Sequence, residues 1–317
     1  MYVVTGGAGF IGSNIIRNLN KQSIDEILVV DNLKRSDKFV NLVGLQIADF
    51  VDKQTFRDRL HSNAFGSTVE AINHQGACSD TMEYDGQYMM DNNYTYSKDM
   101  LHYALDRAIP FVYASSAAVY GNSGNFTEVA DNELPLNIYG YSKLLFDRYV
   151  RRLLHDAQST VVGLRYFNVY GPGEAHKGRM ASVVYQLHQQ LKKSGTIRLF
   201  EGTDGYANGE QRRDFIYVDD VSAINLHFLN APATHEILNV GSGASRSFND
   251  IAHALINMAG EGRIEYIPFP ETLRGKYQSF TQADISKLRT AGIKELFTPL
   301  ESGVSHYYRF LETAQIR

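Results

Sequence analysis

The chain has no tryptophan, one cysteine and seven prolines among 317 residues. With Cys78 as the only cysteine, neither an intrachain disulfide nor a thiolate-rich metal cluster is available. Its ten histidines are scattered without metal-ligand spacing, so no metal is expected. Lys and Arg number 31 and Asp and Glu 35, a net charge of −4 with no block of like sign, which argues against nucleic acid and anionic membrane as partners. No apolar run approaches the roughly eighteen residues of a membrane span, and Met1 leads straight into a strand-like segment without a basic and apolar leader. A cytoplasmic protein is expected. The 44% hydrophobic content can bury a large core.

What is present is concentrated at the start. Tyr2-Val3-Val4 reads as a buried strand, Thr5-Gly6-Gly7-Ala8-Gly9-Phe10-Ile11-Gly12 as a tight turn, and Ser13 to Leu19 as a helix whose positive end faces a pyrophosphate. A second strand, Ile27 to Val30, ends in Asp31, where an acidic side chain reaches the adenosine ribose. Without the strand, helix and acid, the glycines would mark only a flexible turn; together they are a dinucleotide-binding signature.

A second cluster supplies chemistry. In Tyr139-Gly140-Tyr141-Ser142-Lys143 the tyrosine and lysine are four apart and project from one face of a helix. A nearby ammonium lowers a phenol's pKa from about 10 and makes tyrosine a usable base. The spacing alone is weak, since tyrosines pack over lysine stems by chance. Upstream, however, Pro110-Phe111-Val112-Tyr113-Ala114-Ser115-Ser116 is a β-rich run ending in hydroxyls, which puts Ser116 at a strand's carboxyl end, where open α/β sheets bind ligands. Cys78 has no nameable base beside it and reads as a small residue near the cofactor, and His74 as a packed or cofactor-side histidine.

Further strands are expected at Leu45–Asp49, Val69–His74, Phe111–Ser115 and Val161–Asn168, with helices at Asn92–Arg107 and Tyr139–Leu154. Strands separated by helices predict an α/β fold, a doubly wound parallel (Rossmann) sheet with right-handed crossovers. Gly171-Pro172-Gly173 breaks the alternation; a helix over Met180–Leu191 and a polar glycine-rich stretch over Gly202–Gly209 follow, then a strand at Phe215–Val218 with Asp219 as a helix N-cap. The expected organisation is discontinuous: residues 1–170 and 214–245 form the nucleotide-binding domain, and 171–213 and 246–317 a smaller α/β substrate lobe.

Together, Thr5 to Gly12, Ser115-Ser116-Ala117, Tyr139 with Lys143, Arg165 to Pro172 and Arg213-Asp214-Phe215-Ile216-Tyr217-Val218 resemble the extended short-chain dehydrogenase/reductases, which act on nucleotide-linked sugars. Met89 to Tyr94, His176-Lys177-Gly178, Ile264 to Pro270 and Thr281 to Asp284 are similar to the ADP-heptose 6-epimerase branch of that family, over essentially the whole chain. The resemblance implies redox epimerisation without net redox change, serving lipopolysaccharide core precursor synthesis. The heptose C6 hydroxyl would be oxidised to a ketone, and the same hydride returned to its other face by a tightly bound, recycled NADP.

Carried over by position, Tyr139 and Lys177 would be the two acid/bases, Lys143 would hold the nicotinamide ribose and lower the Tyr139 pKa, and Ser116 would bond the reacting oxygen. A second base has its own physical reason. One tyrosine cannot stay within hydrogen-bonding distance of the carbinol oxygen of both epimers if the exocyclic arm swings between transfers. For the cofactor, the resemblance implies Gly6, Gly9, Phe10, Ile11 and Gly12 at the pyrophosphate, Asp31, Asn32, Lys38 and Lys53 at the adenosine end, and Gln75, Gly76, Ala77, Cys78, Ser79, Asn92 and Val169 further along. For the substrate it implies Asn168, Arg179, Gln186, Phe200, Glu201, Gly202, Thr203, Arg213 and Tyr277, with Arg213 forking onto the diphosphate.

Arg179 and Gln186 depart from the small hydroxyl and the histidine expected at their places, and Asp204 to Gln211 looks like an insertion. Asp31 ordinarily favours NAD, so NAD stays possible, while Lys34, Arg35, Lys38 and Lys53 offset its charge and point to NADP. Two other readings stay open: a UDP-hexose 4-epimerase, which has no use for Lys177, and a non-catalytic NADP-binding regulator, which would tolerate loss of Tyr139 or Lys143. A 4,6-dehydratase is disfavoured because Ala117-Ala118 stand where its elimination step needs an acidic pair. The expected partner is a small sugar nucleotide, ADP-heptose, and relatives imply a homo-oligomer.

Overall fold

The computed structural model describes residues 1–271 and 277–314. In chain order the first elements are β1 (Tyr2–Thr5), α1 (Phe10–Lys21), β2 (Ile27–Asp31), β3 (Asp49–Asp52), α2 (Lys53–His61), β4 (Ala71–His74), α3 (Gly86–Met90), α4 (Tyr96–Arg107), β5 (Phe111–Ser116), α5 (Ile138–Arg151) and β6 (Val161–Tyr166). There follow β7 (Asn168–Tyr170), α6 (Val183–Ser194), β8 (Thr196–Phe200), β9 (Arg212–Tyr217), α7 (Val218–Asn230), β10 (His235–Val240), β11 (Ser245–Ser247), α8 (Phe248–Ala259), β12 (Arg263–Ile267), α9 (Ser286–Thr290) and α10 (Leu300–Ala314).

Seven strands form one parallel sheet in the order β10-β6-β5-β4-β1-β2-β3, the doubly wound architecture expected from the alternation. The central strands are apolar along their length because helices cover both faces: Val3, Val4, Ile27, Val29, Ile72, Phe111 and Val112 are all buried. From β1 the chain winds outward through β2 and β3, then crosses back to β4 on the other side of β1. The switch between β1 and β4 opens a crevice at the carboxyl ends of the strands.

The remaining strands make a three-stranded sheet, β11-β9-β7, and a two-stranded one, β12-β8. Around them α6, α8 and α10 enclose a second core of Val184, Leu187, Leu199, Phe215, Leu255, Val304 and Tyr307. The stretch 214–245 divides between the two assemblies. Its β10 extends the main sheet beside β6, and Leu226 of α7 packs with Ile15, Ile16 and Leu19 of α1, whereas β9 pairs with β7 and β11. Among the described residues no helix is long and apolar enough to cross a membrane.

Several boundaries differ from those expected. The third strand is Asp49–Asp52 rather than Leu45–Asp49, because Leu45 closes a turn onto the Leu42 carbonyl and, with Ile47, packs on the β1–α1 core without joining the ladder. The helix expected over Asn92–Arg107 is regular only from Tyr96, since Asp91–Thr95 is a wide π-type turn that buries Asn92 and Asn93. The sixth strand ends at Tyr166, where Phe167 N–H still bonds the Val240 carbonyl before the chain leaves for the other sheet. The α6 helix starts at Val183, capped by Ser182 Oγ, and α7 is preceded by Tyr217 without a side-chain cap, which puts Asp219 inside its first turn.

Candidate active site

A cleft of about 820 Å³ runs along the carboxyl ends of the central strands. At one end lies the turn between β1 and α1. Gly6 sits at φ +63°, and a Cβ there would come within 2.7 Å of the Gly76 nitrogen; one on Gly12 would come within 2.3 Å of the Gly6 carbonyl oxygen. No side chain caps the start of α1, which leaves its first amides facing the cleft with nothing but glycine between them and a ligand. This is a fit for a pyrophosphate.

Beside the turn, Thr5 Oγ1 lies 2.6 Å from His74 Nδ1 and accepts from Gly76 N–H at 3.1 Å, and His74 Nε2 lies 2.8 Å from Ser97 Oγ. Burial, followed by the charges of Lys143 and Lys53, holds the imidazole well below its ordinary pKa. His74 is therefore a packed, neutral brace of the turn and not a proton carrier.

At the adenosine end, Asp31 Oδ2 accepts from Ala8 N–H (3.1 Å) and Oδ1 from Asn32 N–H (2.7 Å), and Lys38 closes an ion pair on Oδ1. Lys53 bonds Asn92 and lies 4.8 Å above the Tyr96 ring, and burial draws its pKa down.

At the middle of the cleft, β5 and α5 bring together Ser116, Tyr139 and Lys143. Asn137 caps α5 by accepting from Gly140 N–H at 2.9 Å, which starts the helix so that Tyr139 and Lys143 share the face towards β5. Ser116 Oγ accepts from Ala118 N–H (3.1 Å) and hydrogen-bonds the Tyr139 phenol. Lys143 Nζ donates to the Ala114 carbonyl at 2.8 Å.

The sequence predicts that Lys143 lowers the Tyr139 pKa. Burial instead raises Tyr139 above its usual value, with the Ser116 hydrogen bond opposing the rise, and draws Lys143 itself down to about 8. The reason is the low-dielectric floor both groups share, and the ammonium gives its hydrogen bond to the Ala114 carbonyl.

Lys177 enters from the segment between β7 and α6, where Gly178 turns the backbone at φ +56°. Its ammonium is drawn below its usual pKa by burial, which the Glu174 charge partly opposes, and lies 5.6 Å from the Phe10 ring. Fully buried Glu174 organises this segment by accepting from Gly171 N–H (3.3 Å), Ser182 Oγ (2.7 Å) and Ser182 N–H. Arg213, 8% exposed, lies 4.8 Å from the Tyr277 ring and 5.7 Å from that of Phe248. Desolvation lowers its pKa, and among the described residues no carboxylate pairs with it.

Of the residues singled out from sequence, Gly6, Gly9, Phe10, Ile11, Gly12, Asp31, Asn32, Lys38, Lys53, Gln75, Gly76, Ala77, Ser79, Asn92, Ser116, Tyr139, Lys143, Asn168, Val169, Lys177, Arg179, Arg213 and Tyr277 all line this one cleft. Cys78, Gln186, Phe200, Glu201, Gly202 and Thr203 do not. Gln186 Nε2 donates to the Gly178 carbonyl (2.7 Å) and so braces the Lys177 segment from behind, and Phe200 meets Phe269, which in turn backs Tyr277. Arg179 reaches the rim, but its guanidinium pairs with Asp80 at 2.9 Å.

Sequence reasoning missed Tyr88, Tyr96 and Phe248 on the cleft wall, and Asn93, which bonds Cys78 N–H (2.8 Å), Cys78 carbonyl (2.9 Å) and Ser142 Oγ (3.1 Å). Only the paired asparagines after Met90 offered a signal, since a helix start does not ordinarily bury two amides.

Residues 2–241 match the NAD dependent epimerase/dehydratase family. The chain is 55% identical, over 97% of its length and 96% of the relative's, to the ADP-L-glycero-D-manno-heptose-6-epimerase of Alkalilimnicola ehrlichii. The crystal structure of the Helicobacter pylori ADP-L-glycero-D-manno-heptose-6-epimerase superposes with a TM-score of 0.85 at 32% identity, covering 98% of this chain and 96% of that one. A Thermus thermophilus UDP-glucose 4-epimerase, solved in complex with NAD, shares 25% identity and a TM-score of 0.78 over 99% of both chains. With its glycine turn, its Tyr139–Lys143 couple and these relatives in agreement, the chain belongs to the NAD dependent epimerase/dehydratase family.

Proposed function

We propose that the protein converts ADP-D-glycero-β-D-manno-heptose to ADP-L-glycero-β-D-manno-heptose by transient oxidation at C6. The observation that carries this reading is the presence of two separate proton-handling groups, Tyr139 with Ser116 and Lys177, on the wall of one cleft beside a dinucleotide turn. The 55% identical relative bears the name of that epimerase. A nicotinamide dinucleotide is the family's cofactor and, when bound, supplies the acceptor and donor of hydride.

The chain's own residues do the rest. Burial leaves Tyr139 protonated at neutral pH and fit to donate, and draws the Lys177 ammonium towards releasing its proton, so the two environments push the pair towards opposite roles. Ser116 holds the reacting oxygen against Tyr139. Lys143 fixes the ribose from the floor. Arg213 meets the diphosphate with charge-assisted hydrogen bonds, and its aromatic neighbours exclude water there.

NADP is the proposed form of the cofactor. Both Asp31 oxygens are engaged by Ala8, Asn32 and Lys38, which offsets the charge that would repel a 2′-phosphate. The division of work follows 1–170 with 214–245 for the cofactor and 171–213 with 246–317 for the sugar nucleotide, in a cytoplasmic homo-oligomer.

The test is incubation with ADP-D-glycero-β-D-manno-heptose, without added oxidant or reductant, and resolution of the C6 epimers by NMR. Tyr139→Phe and Lys177→Met should each lower the rate by about 10²–10⁴-fold. Each should still process an aldehyde analogue that is oxidised and reduced without epimerising, through its remaining group. A Lys177→Met protein epimerising at the wild-type rate would remove the second base and favour a UDP-hexose 4-epimerase, which UDP-glucose turnover would reveal. Denatured protein should release NADP; released NAD would reverse the cofactor assignment alone.

A further inference from the structure

The α5 helix meets β5 by more than its two cleft residues. Tyr139, Lys143, Asp147 and Arg151 are spaced at four-residue intervals and stack along one face. Tyr139 bonds Ser116, and Lys143 bonds the Ala114 carbonyl. One turn further, fully buried Asp147 accepts from Tyr113 Oη (2.9 Å), Ser115 Oγ (2.9 Å) and Arg165 Nε (2.9 Å). Arg151 then donates to Glu133 at 2.6 Å, and the same carboxylate takes Arg165. The helix is thus fastened to the strand at three successive turns and, at Arg151, to the connection that precedes it. A buried ion network lies at the far end of that ladder, beyond any reach of substrate.

We propose that Asp147 is a positioning residue for the Tyr139–Lys143 couple: it locks α5 in register on β5 and keeps a carboxylate one turn behind the Lys143 ammonium. The cost of burying a carboxylate and a guanidinium is otherwise hard to justify, since apolar residues of similar volume commonly serve a core as well or better. Here the network has a local use. Lys143 stands in a floor where burial disfavours its charge, and Asp147 is the largest influence opposing that; the Cys78 thiol is the other. From β4, His74 is neutral and faces Lys143 without supporting it. From β6, Arg165 pairs with Asp147 and would bear on Lys143 as a like charge if Asp147 were lost, leaving it Glu133 and the Tyr120 hydroxyl among the described residues. Tyr113 and Ser115 contribute neutral donors that hold the carboxylate in place.

The inference rests on the couple having the part assigned to it above, so the deciding readout is independent of turnover. With [ε-13C]lysine incorporated, the Lys143 resonance is identified by its loss in Lys143→Arg, and its titration is followed by NMR in the wild type and in Asp147→Asn. The midpoint should fall by about one pH unit or more in Asp147→Asn, while Asp147→Glu should restore most of the difference. Ser115→Ala, which removes a neutral donor and leaves the charge, should move it far less. If Asp147→Asn does not fold, the charge-balanced Asp147→Asn/Arg165→Gln replaces it, with a smaller downward shift expected because the Arg165 charge leaves together with the carboxylate. An unchanged midpoint in whichever of the two is folded overturns the proposal, whatever substrate the enzyme takes. In epimerisation assays kcat should fall in Asp147→Asn and its pH profile should shift with the NMR midpoint, while KM is held. Loss of kcat with an unmoved profile would mark Asp147 as a fold residue only.

Discussion

The turn between β1 and α1 and the segment 171–182 face each other across the cleft and are tied together. Asn14 Nδ2 donates to the Pro172 carbonyl at 2.8 Å, and Asn41 Nδ2 to those of Ala8 (3.0 Å) and Gly173 (2.9 Å). They are nevertheless built by different physics. The turn is fixed by what its residues lack: a Cβ on Gly6 or Gly12 would strike backbone that cannot move. The facing segment takes its turns from Gly171, Gly173 and Gly178 at positive φ, but it is held by what one residue gathers, since Glu174 binds Gly171 and Ser182 at the two ends of the loop. Steric exclusion is local and leaves a mark in sequence. Gathering depends on which groups the folded loop brings to one carboxylate, here three and eight residues away at no regular helix or strand spacing, and leaves almost none.

The largest effect that separates the two comes from Gly12→Ala. Its Cβ would lie 2.3 Å from the Gly6 oxygen, and since that atom is backbone, α1 must shift away from the turn. We expect loss of bound nicotinamide nucleotide on purification and destabilisation of about 1–3 kcal/mol or more, read as released cofactor and Tm. Gly86→Ala is the control, with nothing within 4 Å of its Cβ, and should stabilise by about 0.4–1 kcal/mol through the unfolded chain. A Gly12→Ala protein that keeps its cofactor would mean the turn is as adaptable as the loop opposite.

On the substrate side the largest effect should come from Arg213→Ala. A desolvated guanidinium without a carboxylate partner is poised for an anion, and its charge-assisted bonds contribute about 1.5–3 kcal/mol, which is about 10- to 100-fold in KM. Cofactor content should not change. Arg213→Lys should recover only part, because an ammonium lacks the fork. An unchanged KM would place the diphosphate elsewhere.

A smaller effect tests the floor between the two regions. With Lys143 titrating at about 8 in the fold and about 10.4 unfolded, the unfolded chain holds a proton between those values that the folded chain has released. Stability from this group therefore rises with pH from about 8 to 10, by about 1 kcal/mol per unit. The buried tyrosines pull the other way from about pH 9, where the unfolded phenols begin to ionise, but they do so equally in Lys143→Met. Cofactor-free wild type should consequently gain Tm relative to Lys143→Met between pH 8 and 9.5. Parallel curves would show that Lys143 keeps an ordinary pKa.

How much of the site is legible follows the same division. The glycine turn, Asp31, Ser116, Tyr139 and Lys143 are readable because strand periodicity and an i,i+4 spacing position them without reference to the rest of the chain. The parallel sheet is readable for the same reason. The 45–52 region misleads, because Leu45 and Ile47 are apolar for packing on α1 and not for joining a strand. Asn93, Asp147 and Glu174 go unnoticed, since a buried polar residue declares itself only through partners such as Cys78, Arg165 and Ser182, which lie in other elements. Even the direction of the Tyr139 pKa is a tertiary fact. The spacing shows that Lys143 is near, but not that the Ala114 carbonyl takes its proton donor.

The smallest effect concerns Arg179, two residues from Lys177 on the rim. Its side chain is 69% exposed and pairs with Asp80, a residue of the loop after β4, so this ion pair bridges the two walls at the mouth of the cleft. If it fastened the cleft, its loss would loosen the Lys177 segment; but an exposed pair contributes only about 0–1 kcal/mol and is screened by salt. Glu174 and Asn41 hold that segment from inside through part-buried bonds, and Gln186 adds an exposed but uncharged bond to the Gly178 carbonyl, which salt screens little. Arg179→Ala should therefore leave Tm within about a degree or two and alter KM by less than about fivefold, with the difference vanishing in high salt. A loss of kcat comparable to that of Lys177→Met would show that the segment is held from the rim after all, and that a single exposed bridge does on the substrate side what the glycines do opposite.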